Sequence, residues 1–120
     1  MTVRKPTITL LTDFGARDPY VASIKGAILG VNSDVNIVDI THEIAPQDIL
    51  EAAYVLRCAF SYFPTRTIHL VVVDPTVGSS RRLILVATDN YYFIAPDNGV
   101  LSLIYEAEEV STVVEISAEH

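Results

Sequence analysis

Charged side chains follow two apolar, strand-like segments of this sequence. Asp13 comes soon after Thr7–Leu11, and Asp74 comes directly after Thr67–Val73, with Arg81 in the same loop. A carboxylate at the end of a strand can accept hydrogen bonds from the two hydroxyls of a ribose, as in nucleotide-binding α/β folds. A guanidinium can supply paired donors to a partly desolvated carboxylate. Asp13, Asp74 and Arg81 are therefore the candidate residues of a small-molecule site.

Purely structural interpretations of the same residues stay open at this point. Asp13 could accept backbone amides in a turn, and Asp74 with Arg81 could form an ion pair that only braces its loop. The sequence contains neither G-x-G-x-x-G nor G-x-x-x-x-G-K-[ST], the motifs whose glycines let a backbone approach phosphates. The pattern therefore favours a nucleoside over a nucleotide as the ligand.

A second polar loop carries His42, Glu43 and Asp48. A histidine beside a glutamate suggests a metal site, but the sequence has no H-x-x-x-H or H-E-x-x-H pattern, and we predict no metal. We expect His42 and Glu43 to tie the loop to neighbouring backbone or to a subunit. Asp48 is expected to cap a helix, as is Asp18, which precedes a proline.

Two further polar residues are expected to be structural. Cys58 is the single cysteine, which excludes an intramolecular disulfide and fits a reducing compartment. Because it stands among Leu56, Ala59 and Phe60, we predict a buried thiol rather than a nucleophile. Asn98 lies in a tight turn, where it could cap a short helix or contact a partner.

The elements that must position these residues follow from hydrophobic periodicity and turn signals. The first predicted helix shows an apolar stripe made of Val21, Ile24, Ile28 and Val31. The predicted strands are Thr7–Leu11, Val35–Ile40, Thr67–Val73, Leu83–Ala87, Tyr91–Ala95 and Val110–Ile116, and the predicted helices are Tyr20–Val31, a helix opened by Asp48 and closed by Pro64, and Val100–Tyr105.

This order of elements predicts an α/β fold. Strand–helix–strand–helix–strand is typical of right-handed parallel crossovers, so we expect a Rossmann-like, three-layer domain with a mostly parallel sheet. The two strands around Thr88–Asn90 are predicted to form a hairpin. Ligands of such sheets bind beyond the carboxyl ends of the strands, and Asp13 and Asp74 both follow such ends.

Composition narrows the class of protein further. The 120 residues are half hydrophobic and carry 15 acidic against 8 basic side chains, for a net charge of −7. Phosphates would be repelled, so nucleic-acid binding is not expected. No apolar run approaches the roughly 20 residues of a membrane span, and the first residues do not resemble a secretory signal. We therefore expect a cytoplasmic protein without membrane contact.

Four segments, in chain order, resemble the S-adenosyl-L-methionine (SAM) hydroxide adenosyltransferase family, which is related to fluorinases and chlorinases. They read TLLTDFG…DPYVASIKGAIL, IVDITHEIAPQDILEAAYVL, FPTRTIHLVVVDPTVGSSRR and FIAPDNGVLSLI. The resemblance covers nearly the entire chain. It implies a Rossmann-like N-terminal domain, a smaller C-terminal β-barrel domain, and a homotrimer with the ligand between subunits. It also implies hydrolysis of SAM to adenosine and methionine without a cofactor.

The resemblance also implies roles for individual residues. Asp13 matches the family aspartate that holds the ribose hydroxyls. Asp74 and Arg81 match two members of an Asp–Arg–His set that positions the attacking water. The halogenase branch has tyrosine in place of Asp74 and threonine in place of Val77, so both positions here favour water as the nucleophile over halide.

This chain departs from the family pattern at two glycines and at its end. Thr76 and Arg66 stand where the family has glycine, a residue that often serves where φ is positive. The histidine of the set belongs to a Phe-His-Gly-Arg motif expected after this chain, and His120 lacks that context. We therefore expect residues 1–120 to be the N-terminal α/β domain alone, without the β-barrel, and to be inactive in isolation.

Two other functional classes remain in view. The chain could be a non-catalytic nucleoside-binding or assembly module that persists without the barrel. It could also be a folded scaffold that binds no ligand. Substituting Asp13 and Asp74 separates these possibilities, because a scaffold would lose neither ligand affinity nor stability.

Overall fold

Strand and helix alternate through the first three strands, as the spacing predicts. The computed structural model describes residues 5–15, 19–73 and 82–116. Every predicted strand is confirmed, with its ends shifted by one residue at most. The strands are β1 (Thr7–Thr12), β2 (Asn36–Thr41), β3 (Ile68–Val72), β4 (Leu83–Thr88), β5 (Tyr92–Pro96) and β6 (Val110–Ile116), and the helices are α1 (Tyr20–Val31), α2 (Ile49–Ala59) and α3 (Ser102–Ala107), with a 3₁₀ turn at Phe60–Tyr62.

The six strands form one sheet in the order β2-β1-β3-β5-β4-β6. β1 pairs in parallel with β2 and β3, and β3 pairs in parallel with β5. β4 is antiparallel to β5 and to β6, so it runs against the other five described strands. The predicted hairpin between β4 and β5 and the predicted α/β fold with a mostly parallel sheet are both confirmed.

Helices α2 and α3 cover one face of the sheet and form the main core with it. Side chains alternate between the two faces of a strand, so Leu11 and Val71 point into this core while Leu10 is buried on the other face. Each large aliphatic or aromatic side chain buried in this way contributes roughly 2 kcal/mol. The core includes Leu11, Leu56, Val71, Val86, Phe93 and Ile104.

Cys58 is exposed, so the prediction of a buried thiol is wrong. Helix α2 buries Ala52, Ala53 and Leu56. Each helical residue turns by about 100°, so Cys58 points roughly 200° away from Leu56, towards solvent. Its apolar neighbours along the sequence are therefore not its neighbours in space.

Helix α1 lies over the opposite face of the sheet, which completes the three layers. Ala27 and Ile28 of the helix and Ile8 and Ile68 of the sheet line one apolar cavity of about 440 Å³. The predicted stripe of α1 is only half-buried, and its last member, Val31, is 90% exposed. None of the residues of α1 is fully buried, so the apolar periodicity overestimated how deeply the helix packs on the sheet.

The start of α1 was predicted to be capped by Asp18, which lies outside the described residues. The helix begins at Tyr20, and Pro19, which precedes it, provides no side-chain cap. Over residues 5–15, 19–73 and 82–116, no helix is long and apolar enough to cross a membrane.

His69 is fully buried near the start of β3. Its ring stacks on Phe93 with centroids 5.2 Å apart, and its Nδ1 lies 2.6 Å from the Thr9 hydroxyl. Its Nε2 makes no hydrogen bond to any residue that the structure describes. Burial lowers the pKa of His69 to about 4. The nearby backbone of Phe60 raises the pKa by a smaller amount, although it makes no hydrogen bond to Nε2.

Arg66 adopts the left-handed backbone conformation that the resemblance predicts for its position. Its φ is 72°, although arginine has replaced the glycine that the family pattern places there. The Arg66 amide donates a hydrogen bond of 2.6 Å to the Asn90 carbonyl, which holds the turn before β3 against the β4–β5 hairpin. Arginine is therefore accommodated at a positive φ in this turn. Thr76, the other departure, lies outside the described residues.

Candidate functional site

Strands β1 and β3 end side by side at the carboxyl edge of the sheet. Thr12 of β1 is paired with Val72 of β3, while β2 lies on the other side of β1. The chain therefore leaves β1 towards one side of the sheet and, after β2, crosses to the other. In α/β sheets the crevice at such a reversal is where ligands bind. Asp13 lies at this edge, directly after β1.

One oxygen of the Asp13 carboxylate is held by backbone from a distant part of the chain. Its Oδ2 accepts the amide N–H of Gln47 at 2.7 Å. The interpretation of Asp13 as an acceptor of backbone amides is correct to that extent, although the donor belongs to the β2–α2 loop rather than to its own turn. Within the described part of the chain, Oδ1 of this half-buried residue accepts no hydrogen bond.

Gln47 makes this contact from an unusual backbone conformation. Its φ is 65°, in the left-handed region, which costs a residue with a side chain about 1 kcal/mol or more. Asp48, next along the chain, caps α2 as predicted, because its Oδ1 accepts the Glu51 amide at 2.9 Å. The strain at Gln47 thus lies between the helix cap and the amide that reaches Asp13.

His42 joins the loops that follow β1 and β2. Its Nδ1 lies 2.8 Å from the Thr12 hydroxyl, and its Nε2 lies 2.8 Å from Oδ1 of Asp39. Its carbonyl accepts the Gly15 amide at 2.7 Å, and Gly15 has a φ of 73°. The expectation that His42 ties its loop to neighbouring backbone is confirmed, and its ring adds contacts to two side chains.

Asp39 fixes the direction of one hydrogen bond of His42. A carboxylate only accepts, so Nε2 of His42 donates to Oδ1 of Asp39. Burial raises the pKa of Asp39, but hydrogen bonds and charge from Lys25 and His42 outweigh that effect and hold it below its usual value. Lys25 of α1 binds the second oxygen of Asp39 at 2.8 Å.

The β2–α2 loop is also held at its other residues. The Glu43 amide donates to the Thr41 hydroxyl at 3.0 Å, and the Ala45 amide donates to Oε1 of Glu51 at 2.9 Å. The Asp48 amide donates to the Ala45 carbonyl at 2.9 Å. The loop that presents the Gln47 amide is therefore fixed from both ends.

The exit of β3 is fixed by Asn98. Its Nδ2 donates to the Val73 carbonyl at 2.8 Å, and its Oδ1 accepts the Val100 amide at 3.1 Å. Asn98 does not cap α3, whose N-cap is Leu101 without a side-chain hydrogen bond; it instead holds the turn before that helix, and contact with a partner remains a prediction. The structure describes the chain up to Val73, so the end of β3 is placed at the same edge of the sheet as Asp13.

Asp74 and Arg81, the other two candidate residues, lie outside the described residues. Their assignment therefore remains a prediction from the sequence. Among residues 5–15, 19–73 and 82–116, no cluster of three or more histidine, cysteine, aspartate or glutamate side chains could hold a metal ion.

Sequence reasoning missed the part that Gln47 plays beside Asp13. Glutamine has no special preference for a positive φ, and a backbone N–H leaves no trace in the residue type. The ring contacts of His42 were also missed, since Thr12 and Asp39 lie on different strands. The sequence signal for the Gln47 contact is its position, because Gln47 directly precedes Asp48, which caps α2.

Fold and site together define a class of protein. A mostly parallel sheet carries an acidic residue at the carboxyl end of β1, beside the crevice where strand order reverses, and lacks a phosphate-binding glycine motif. This is the arrangement of α/β domains whose ligand sites lie beyond the carboxyl ends of the strands.

The chain belongs to the SAM hydroxide adenosyltransferase family, because residues 8–120 match the model of that family's N-terminal domain. It is 44% identical to the (R)-S-adenosyl-L-methionine hydrolase of Methanocaldococcus jannaschii, over 93% of this chain and 44% of that protein. It is 29% identical to a fluorinase of Actinoplanes, over 95% and 48% of the two chains.

A solved structure has the same fold as this chain. An uncharacterised conserved protein from Thermotoga maritima superimposes with a TM-score of 0.88 and 43% identity, over 92% of this chain and 43% of that one. The chain thus spans less than half the length of the relatives it matches.

Proposed function

We propose that this chain is the N-terminal part of an enzyme that hydrolyses SAM to adenosine and methionine. The observation that carries the proposal is the Asp13 carboxylate at the carboxyl end of β1, with Oδ2 held by a backbone amide and Oδ1 without a hydrogen bond from residues 5–15, 19–73 and 82–116. Family membership and the similarity to a SAM hydrolase support it. In this proposal Asp13 accepts hydrogen bonds from the ribose hydroxyls.

The proposed reaction is a displacement at the ribose C5′. The oxygen of a water molecule bonds to C5′, the C5′–S bond breaks, and its electron pair returns to sulfur, which leaves as the neutral thioether of methionine. The water loses one proton, which passes to the solvent, so that adenosine leaves as the neutral alcohol. Because the sulfonium is already a good leaving group, the step needs an oriented and partly desolvated nucleophile. We assign that task to Asp74, held by Arg81, and the reaction needs no cofactor.

A complete site needs further protein. The proposed set includes a histidine that the resemblance places beyond this chain, and groups that act as a unit lose most of their effect when one is missing. We therefore propose that residues 1–120 alone are nearly inactive. We further propose a cytoplasmic homotrimer, as the family resemblance implies.

A chimera tests this proposal. Residues 8–120 would replace the matched part of the Methanocaldococcus jannaschii relative, and adenosine release from SAM would be followed by chromatography. We expect the chimera to release adenosine and the isolated chain to stay near the uncatalysed rate. Asp13→Asn should raise KM about tenfold, and Asp74→Asn should lower kcat by about 100-fold.

Asp34→Asn is the matched control, because Asp34 is an exposed residue near Lys5, away from the strand ends of the site. It should change neither constant. Efficient turnover by the isolated chain would overturn the claim of an incomplete site. A folded chimera that releases no adenosine would overturn the proposed reaction.

The second candidate is a non-catalytic module that binds a nucleoside. It is favoured because Asp13 belongs to this chain and lies at the carboxyl end of β1, whereas the proposed water-positioning set also needs a histidine from further protein. Calorimetry with adenosine distinguishes the two, since this candidate predicts binding by both the chain and the chimera without turnover by either.

A further inference from the structure

We propose that Gln47 is a positioning residue that makes the site prefer ribose over 2′-deoxyribose. It would act through its backbone amide, which holds the Asp13 carboxylate in the orientation needed to accept both ribose hydroxyls. This inference rests on the proposed function, because it assumes that Asp13 binds the ribose. It adds the group that fixes the direction of that carboxylate.

The contact between Gln47 and Asp13 is short and is made at a conformational cost. The amide nitrogen lies 2.7 Å from Oδ2, a length typical of a hydrogen bond to an ionised acceptor. It is reached with a φ of 65°, in a region that residues with a side chain rarely adopt. Such strain persists only where surrounding contacts impose it, and it clusters at functional sites.

Contacts on both sides of Gln47 explain why its backbone keeps a positive φ. The Gln47 loop is held through His42, which binds Thr12 and Gly15 on the β1 side. On the α2 side, Glu51 binds the Ala45 amide. The Gln47 amide therefore has a fixed position relative to β1, and the carboxylate that it binds cannot rotate freely.

A fixed carboxylate explains why ribose and 2′-deoxyribose would be distinguished. Two hydroxyls can share one carboxylate only when its oxygens face both of them, whereas a single 3′-hydroxyl can follow a rotating group. Loss of the Gln47 contact should therefore weaken ribose binding more than deoxyribose binding. General destabilisation of the fold would weaken both equally.

The test compares two variants at Gln47 in the complete 120-residue chain. Gln47→Gly keeps the amide and favours a positive φ, whereas Gln47→Val disfavours that conformation strongly. Dissociation constants for adenosine and 2′-deoxyadenosine would be measured by calorimetry. We expect a preference for adenosine of roughly tenfold in the wild type and in Gln47→Gly, falling to about twofold in Gln47→Val.

Arg66→Val is the matched control, because Arg66 is the other non-glycine residue with a positive φ among those that the structure describes and lies at the opposite end of the sheet. It should lower stability and leave the preference unchanged. If Gln47→Val keeps the wild-type preference, the inference is wrong while the proposed function stands. If the wild type binds adenosine and 2′-deoxyadenosine equally, the proposed binding of the ribose hydroxyls by Asp13 is itself wrong.

A measurement without ligand keeps the inference testable even when no nucleoside binds. Hydrogen exchange of the Gln47 amide, followed by NMR, should accelerate at least about tenfold in Asp13→Ala, because the amide then loses its acceptor. Asp34→Ala should leave that rate unchanged. Equal exchange rates in the two variants would refute the positioning contact directly.

Discussion

Each end of the sheet contains a histidine and a non-glycine residue with a positive φ, and the contacts of these residues differ between the two ends. At the carboxyl end lie His42 and Gln47, and at the opposite end lie His69 and Arg66; Gln47 and Arg66 have φ values of 65° and 72°. Gln47 directs its amide to a carboxylate side chain, whereas Arg66 directs its amide to a backbone carbonyl. Only the first arrangement orients a group that could bind a ligand.

The histidines differ in the same way. Both ring nitrogens of His42 have side-chain partners, and its side chain is 13% exposed. His69 is fully buried, lies against Thr9 and is surrounded by aromatic rings. Among the described residues, hydrogen bonds order the carboxyl end of the sheet and leave Oδ1 of Asp13 without a donor, whereas packing orders the other end and leaves Nε2 of His69 without a partner.

The largest expected effect concerns His69 and acid. Unfolded histidine binds a proton at about pH 6.5, but burial lowers the pKa of His69 in the folded chain to about 4. Between these values the unfolded state binds more protons, so stability falls as the pH falls. The loss from pH 7.5 to pH 4 should be about 3 kcal/mol, measured as the free energy of urea unfolding.

His69→Phe is the variant that isolates this effect. It keeps an aromatic ring among Phe60 and Phe93 and removes the titrating group, so its unfolding free energy should vary much less between pH 6.5 and pH 4. Asp39, whose pKa lies below the usual value, loses its contribution only below this range. An unchanged pH dependence in His69→Phe would contradict the assignment.

A smaller effect is expected at the carboxyl end from Asn98→Ala. The variant removes the donor to the Val73 carbonyl and the acceptor of the Val100 amide. Two net hydrogen bonds at a partly buried site are worth about 2 kcal/mol, and thermal unfolding would measure the loss. Asn90→Ala is the control, because the Asn90 side chain makes a long contact of 3.5 Å, to Oε1 of Glu108.

This variant also tests whether the exit of β3 matters to the site. We expect Asn98→Ala to weaken adenosine release by the chimera as well as stability, since Asp74 directly follows Val73. The control should affect neither property. A loss of stability without any change in turnover would mean that Asn98 serves only the fold.

Most of the fold could be predicted from sequence because its signals are local. The strand β3 is a run of β-branched and aliphatic residues, and β6 was predicted with both ends correct. The predictions for Cys58 and Val31 were wrong for one reason, since burial depends on which helix face meets the sheet and on how closely the helix packs there. Neither fact is contained in the neighbouring residues.

The site could be predicted only in part. Asp13 follows from its position after a strand, and Asp48 follows from capping chemistry. The contact of Gln47 depends on its backbone conformation and on a carboxylate 34 positions away in the chain, so no local pattern marks it. The predicted roles of Asp74 and Arg81 depend on the resemblance, and they await the tests above.

The smallest expected effect comes from Arg66→Gly, which sharpens the contrast between the two residues with positive φ. Glycine relieves a strain of about 1 kcal/mol, but it also makes the unfolded chain more flexible, which offsets roughly half of that gain. The net stabilisation should be about 0.5 kcal/mol, a shift of about 0.3 M in the urea midpoint. Arg66→Ala, which removes the side chain and keeps the strain, should not be stabilised. If both variants gain equally, the long side chain rather than the backbone is the source of strain. The adenosine preference should be the same in both, since only the turn at the carboxyl end orients a carboxylate.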